Sequence, residues 1–421
     1  MKAINIIKSL SLSASILVSG LGHAAAQSSE PFRTDINPAL LYYRAFLVTP
    51  NPQLGTKDFD YLFSNAGRSK KLPEKLATLF HGYDEQFKLL RQAANATVPC
   101  DWGIDWSAGP DTWLPQLARA KAVAQAANFR VRWELEHGQQ SEAVVDFLGA
   151  LALGRNLPRD GFLISTLVQI AIEAIDCNRI AESFGLFSPQ ALQQLVKGLD
   201  AAPNRGTVAD CIPTEKGMFR DWLLRKINEL RKRYPGDDAK VMAGLREVAP
   251  GAFEKPRGGE SSVWESLMKA AGGTSDGLIR MLHERDRVYD RLAKVLALPY
   301  SEFQRKMQQL VSSVRGDPMV SSSVAAFSRA RAREFRVEAW LAMVRAAVAY
   351  KLHGQEGLKS VQDPCGNGPF AFSRFVFDGV DRGFELRSVF NMDGAKAALI
   401  FVETPGPAFR VDGPHIGQPV P

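Results

Sequence analysis

Apolar side chains return at three- and four-residue steps over most of this chain, and that rhythm restricts the fold more than any other feature. Leu72, Leu76, Leu79, Tyr83, Phe87 and Leu90 follow it, as do Phe219, Leu223, Ile227, Leu230 and Tyr234. So do Leu278, Leu282, Tyr289, Leu292 and Leu296, and then Val337, Leu341, Val344, Val348 and Leu352. A helix puts such residues on one stripe, which has to be buried against a neighbour. Pro158, Ser188-Pro189, Pro203, Pro235-Gly236 and Pro299 fall between the stripes, where helices must stop. The expected fold class is mainly α, an irregular antiparallel α–α array of about ten helices between Pro38 and His353.

One pair of stripes resembles a tetratricopeptide-type hairpin near residues 115–157. It runs Trp133-Glu-Leu-Glu-His-Gly138, then Glu142-Ala143, Phe147 and Ala150-Leu151. No second copy follows at the family's period of about 34 residues, so a regular repeat is not expected.

The 421 residues are 45% hydrophobic and 23% charged, which excludes wholesale disorder and collagen-like structure. Lys2 and Lys8, the short mixed apolar stretch Ser9 to Leu21 and the small residues Ala24-Ala25-Ala26 read as an export signal over 1–26, cleaved before Gln27. That stretch is shorter than the roughly 20 apolar residues a membrane helix needs. The expectation is an exported chain, periplasmic or secreted, with no integral membrane segment after cleavage. Losing two lysines lowers the formal charge from +7 to +5, too little to dictate a partner.

Cys100, Cys177, Cys211 and Cys365 remain. In an oxidising compartment, four cysteines imply two disulfides. Cys177 and Cys211 fall on helices expected to be neighbours, and Cys100 and Cys365 in loops, so 177–211 with 100–365 is the favoured pairing of three. Their spacing fits no zinc site, and no metal or cofactor is expected.

The helical halves are expected at 27–248 and 263–360, with the Pro-, Gly- and charge-rich 249–262 as a linker or a surface loop. Over 361–403, Phe370, Phe372, Phe375 and Phe377, then Phe384-Glu-Leu386 and Ala397 to Val402, are broken by Asp378-Gly379 and Asp393-Gly394. This predicts a small three-stranded antiparallel β-element. Residues 404–421 are Pro/Gly-rich and expected to be disordered.

Asp363-Pro-Cys-Gly-Asn-Gly-Pro-Phe370, Gly383-Phe-Glu-Leu-Arg-Ser388 and Asp393-Gly394 resemble the C-terminal β-element of type II secretion pseudopilins, over about 35 residues. That family's long apolar N-terminal helix is absent, so pilus assembly is not implied. The resemblance makes Asp393 a candidate calcium ligand, although Ala395-Lys396 replace the family's glycine- and acid-rich continuation. The whole arrangement is also similar to uncharacterised exported proteins of planctomycete- and verrucomicrobia-type bacteria, a resemblance that implies no activity.

Chemistry concentrates in Cys100-Asp-Trp-Gly-Ile-Asp-Trp-Ser-Ala-Gly-Pro-Asp-Thr-Trp113. Trp102, Trp106 and Trp113 offer flat faces for sugar rings, and Asp101, Asp105 and Asp111 offer carboxylates. The alternative is structural: indoles plugging gaps between helices, aspartates capping, with Asp111 as the cap of the next helix. Gln169, Glu173 and Asp176 share one helix face and read as a polar stripe toward water or a groove, since no His accompanies them to make a metal site. Ser266-Leu-Met-Lys269 matches the S-x-x-K nucleophile pattern without its K-T-G partner. Arg329, Arg333 and Arg336, with Arg331 nearby, form a basic face able to meet an anionic polymer.

These features lean away from catalysis. The leading expectation is an exported cell-envelope binding or scaffold protein for an unidentified envelope protein, peptide or glycan. The alternative is a cell-wall-active glycosidase-type hydrolase using carboxylates in the 100–113 loop. Nucleic acid is not an expected partner.

Overall fold

Helical stripes form locally, but which stripe meets which is a tertiary outcome. In the computed structural model, residues 33–48, 57, 61–62, 64, 67, 70–248, 263–392 and 394–420 are described. Residues 1–26, where an export signal is expected, the 249–262 segment and Asp393 lie outside them. The fold is mainly α, with a small C-terminal three-stranded antiparallel sheet.

The helices are α1 (Pro38–Val48), α2 (Asp84–Ala94), α3 (Gln116–Glu136), α4 (Gln140–Asn156), α5 (Leu163–Glu182) and α6 (Pro189–Ala201). They continue as α7 (Ile212–Arg233), α8 (Asp238–Val248), α9 (Val263–Ala270), α10 (Ser275–Leu296), α11 (Tyr300–Ser313) and α12 (Ser321–Ser360), the last interrupted at Gly354. The strands are β1 (Ala371–Phe377), β2 (Val380–Met392) and β3 (Ala395–Val402), in the order β1-β2-β3. No described helix is long and apolar enough to cross a membrane.

The α10 stripe is buried throughout: Leu278, Leu282, Tyr289, Leu292 and Leu296 are all at most 3% exposed. The stripe from Leu72 to Leu90 is split. A turn at Gly82 and Tyr83 separates the short helix Ala77–His81 from α2. Leu72, Leu76 and Phe80 then pack on Phe129 and Trp133, while Tyr83, Phe87 and Leu90 pack with α1. One uninterrupted helix could not have reached both clusters.

α12 ties the array together, packing on α5 and α6 from the first half and on α10 and α11 from the second. The sheet docks on α12 and on the end of α5 through Phe184, Phe384 and Phe401, with ring centroids 5.2–5.7 Å apart. All three are fully buried, and each contributes about 1.5–3 kcal/mol. The approach needs two glycines. A side chain at Gly185 would collide with the Glu403 backbone, and one at Gly383 (φ 145°) with the Phe401 carbonyl of the paired strand.

The Asp363 loop has a structural task. The Asp363 carboxylate accepts from the Cys365 amide (3.0 Å), the Ser388 hydroxyl (2.9 Å) and the Val389 amide (2.8 Å), pinning its loop to β2.

Two expectations fail here. The tail is packed rather than disordered over 404–420. The Ile400 amide donates to the Val411 carbonyl (2.9 Å), covering part of the open edge of β3, and the Phe409 ring packs at a tilt against Phe375 and Phe377. Phe409, Val411 and Val420 are the buried anchors that the Pro/Gly content concealed.

The second failure concerns the disulfides: all four cysteines are free and buried. Cys211 Sγ lies 3.0 Å from the Thr166 hydroxyl, at the start of α5. Cys177 stands eleven residues further along the same helix, about 16 Å away by helical rise. A disulfide requires Cα atoms within roughly 7 Å. Cys100 is packed in the α1–α2–α3 cluster and Cys365 in another, beside the Phe335 carbonyl. Burial pushes Cys100, Cys211 and Cys365 up to about 12 and Cys177 well above its ordinary value. The folded protein should therefore resist a thiol reagent at neutral pH, and all four thiols should react in denaturant without reductant. Fewer than four in denaturant would reveal a bridge.

Candidate functional site

The 100–113 loop separates its residues rather than gathering them. Trp102 is 4% exposed, its Nε1 donates to the Asn156 carbonyl (2.8 Å), and its ring lies against Tyr42 and Tyr43. It plugs the space between α1 and α4. Trp106 rests edge-on to Phe162 with 44% exposure, and Trp113 is 81% exposed. The Asp101 carboxylate accepts from the Gly103 amide, and that of Asp105 from the Ser107 amide and hydroxyl. The Ser107 bonds hold Asp105 below the usual carboxylate range, the wrong direction for a general acid. Asp111 caps nothing, because α3 begins at Gln116 after Pro115. Two exposed indoles remain as a contact surface, beside turn-forming carboxylates.

The polar face of α5 does not meet water. Gln169, Glu173 and Asp176 are at most 2% exposed. Glu173 accepts from Arg155 (3.2 Å) and Arg205 (2.9 Å), and Gln169 exchanges bonds with the Gly206 backbone. Arg205 also reaches Glu338 (2.8 Å), and Arg331 reaches Glu334 and Glu338. Among the described residues, no group of His, Cys, Asp and Glu is arranged to hold a metal ion.

The basic face is partly dismantled. Arg331 is drawn into that ion network, and Arg336 lies over the Trp340 ring at 5.1 Å. Only Arg329 and Arg333 are exposed. Lys269 of the S-x-x-K stretch is exposed on α9 and has no ion pair among the described residues.

The concave site lies elsewhere, where the helical body meets the strap that leaves β3. A cavity of about 310 Å³ is walled by the C-terminal turns of α3 and α5 on one side and by Val402 to Val411 on the other. A second, of about 280 Å³, adjoins it, with Arg179, Glu182 and Val411 in the wall of both. Leu135, Leu186, Val402, Pro405, Pro407 and Phe409 supply apolar surface.

Five cations, Lys70, Lys71, Arg132, Arg179 and Arg382, face the first cavity against three carboxylates. Each carboxylate is committed. Glu136 accepts from Arg132 (2.7 Å) and the Leu72 amide (2.7 Å), Glu182 from Arg179 (3.0 Å), and Glu403 from Arg374 (2.8 Å) and Lys351 (3.2 Å). Lys70 and Lys71 are exposed at the rim, with no ion pair among the described residues. Arg382 is 5% exposed, and its guanidinium has no hydrogen bond or ion pair among the described residues; Nε is buried without a partner. It abuts Gly406 so closely that a side chain there would collide with it.

Arg382 is the extra residue of a β-bulge: Gly383 pairs with Phe375 and Asp381 with Val376, so Arg382 has no partner on β1 and the two-residue alternation of β2 breaks there. No sequence signal brings the 405–411 strap over α3 and α5.

Comparison with protein-family models, with curated proteins and with solved structures gives no match to this chain. The site stands on its geometry alone.

Proposed function

We propose that this chain is an exported binding protein of the cell envelope, and that its ligand seats in the groove between the helical body and the strap after β3. One observation carries the reading: a cavity of about 310 Å³, within the size range of small-ligand sites, with mixed apolar and cationic walls drawn from distant parts of the chain. Export rests on Lys2, Lys8 and the Ala24 to Ala26 run. The four free thiols lend it no support.

Trp106 and Trp113 favour a second reading, in which the exposed indoles dock an envelope peptide or glycan. The hydrolase alternative draws less support, since Asp101 and Asp105 spend their oxygens on the turn.

The test is native mass spectrometry of protein recovered gently from an envelope fraction. The expected chain begins at Gln27 and carries a small-molecule mass that is released on unfolding. Ala408→Trp, which fills the groove from the strap, should abolish that mass. A bare chain in the parent would reject the groove reading, and an intact N-terminus would reject export.

A further inference from the structure

From the unpaired guanidinium of Arg382, we infer that the groove takes an amphipathic organic anion, its oxyanion head on Arg382 and its apolar body against Leu186, Val402 and Phe409. This rests on the groove being a ligand site. A cation removed from water needs a counter-charge or a full set of acceptors. Asp381, the neighbouring acid on β2, is bound bidentately by Arg374. Glu136, Glu182 and Glu403 are held by other donors, as described above. The empty place in this charge pattern belongs to an anion that none of the described residues supplies.

A planar guanidinium binds a carboxylate or a phosphate through two parallel hydrogen bonds. Lys70 and Lys71 at the mouth add a positive field that would draw such a head inward. A cavity of about 310 Å³ is at the small end of ligand sites, so the body is a short chain or a single ring rather than a polymer. Pro405 and Pro407 limit the freedom of the strap, and Gly406 between them leaves space for the guanidinium.

The experiment titrates the chain beginning at Gln27 with three probes of one shape and different charge: 4-phenylbutyrate, 4-phenylbutanol and 4-phenylbutylamine. Calorimetry should rank acid above alcohol above amine, with the acid about tenfold or more tighter than the alcohol. Arg382→Met should remove the preference, so that acid and alcohol converge. Without ligand, that variant should melt above the parent, because it no longer buries an uncompensated cation. Arg382→Lys keeps the charge but not the paired geometry, and should bind the acid several-fold more weakly than the parent.

Equal binding of acid and alcohol by the parent would overturn the anion assignment while leaving the groove a ligand site. Failure of all three probes would overturn both. Should R382M melt below the parent, or keep the preference, Arg382 is a structural prop and the inference falls. If R382M does not fold, an undiminished acid affinity in R382K overturns it equally.

Discussion

Glu173→Ala is expected to destabilise the protein by about 3–5 kcal/mol in urea denaturation at neutral pH, the range for breaking a buried ion pair from one side. Glu173 is fully buried on α5, and its two oxygens receive Arg155 from α4 and Arg205 from the segment before α7. Removing the carboxylate leaves the mostly buried Arg155 without an ion-pair partner among the described residues, while Arg205 keeps only Glu338 and, at 3.6 Å, Glu334. Its neighbour sharpens the test. Burial first, and then the charge of Glu173, push Asp176 well above its ordinary value, which favours its protonated form. Asp176→Asn should therefore change little on its own.

With Glu173 absent, its repulsion is gone, and Asp176 can ionise toward Arg155. Asp176→Asn added to Glu173→Ala should cost more than it does in the parent, and a double-mutant cycle reads that coupling directly. Additive effects would mean that Asp176 is already charged in the parent, and the charge assignment of the network would be wrong.

That network marks the limit of what the sequence discloses. Periodicity places Glu173 and Asp176 on one helix face, and single-sequence reasoning sends a polar face toward water. Burial becomes visible only when Arg155, Arg205, Arg331, Glu334 and Glu338 are known to converge. They come from three separate segments, and Arg205 and Glu338 are 133 residues apart. The helices and the sheet are legible for the opposite reason, because their stripes, breakers and two-residue alternation are short-range. The tail misleads by composition: three apolar anchors among prolines and glycines suffice to hold it on β3.

The candidate site divides along the same line. Trp102 is a core residue and Trp113 a surface one, although the same sequence cluster holds both; the difference is set by Tyr42, Tyr43 and Asn156, far away in the chain. Arg382 gave no local signal, because it falls at the bulge where the alternation of β2 breaks. Its missing counter-ion gave none either, because the lack of a partner is a property of everything that surrounds it.

A second charge cluster gives the protein a predictable response to pH. Arg130 on α3 reaches Asp84 (2.6 Å), Glu134 (2.9 Å) and Asp146 (2.7 Å), and Arg91 also pairs with Asp146. Glu134 and Asp146 are both buried within it. Burial, with the charge of Asp146 adding to it, raises Glu134 from its ordinary value to about 9 despite Arg130, so at neutral pH it is protonated and shares that proton with Asp146. The unfolded chain releases the proton near the ordinary value of 4.5. Between the two values the folded state holds more protons than the unfolded one, so stability falls as pH rises. Each pH unit inside the window removes up to about 1.4 kcal/mol. Glu134→Gln keeps a donor for Asp146 and has nothing to titrate. At pH 5 the variant should match the parent closely. Its advantage should then grow through pH 6, 7 and 8 in urea titrations, while slopes from other groups, such as Asp160 at about 6, cancel between the two proteins. Parallel curves would mean that Arg130 and Arg91 hold both carboxylates ionised, and that Glu134 titrates as a surface acid would.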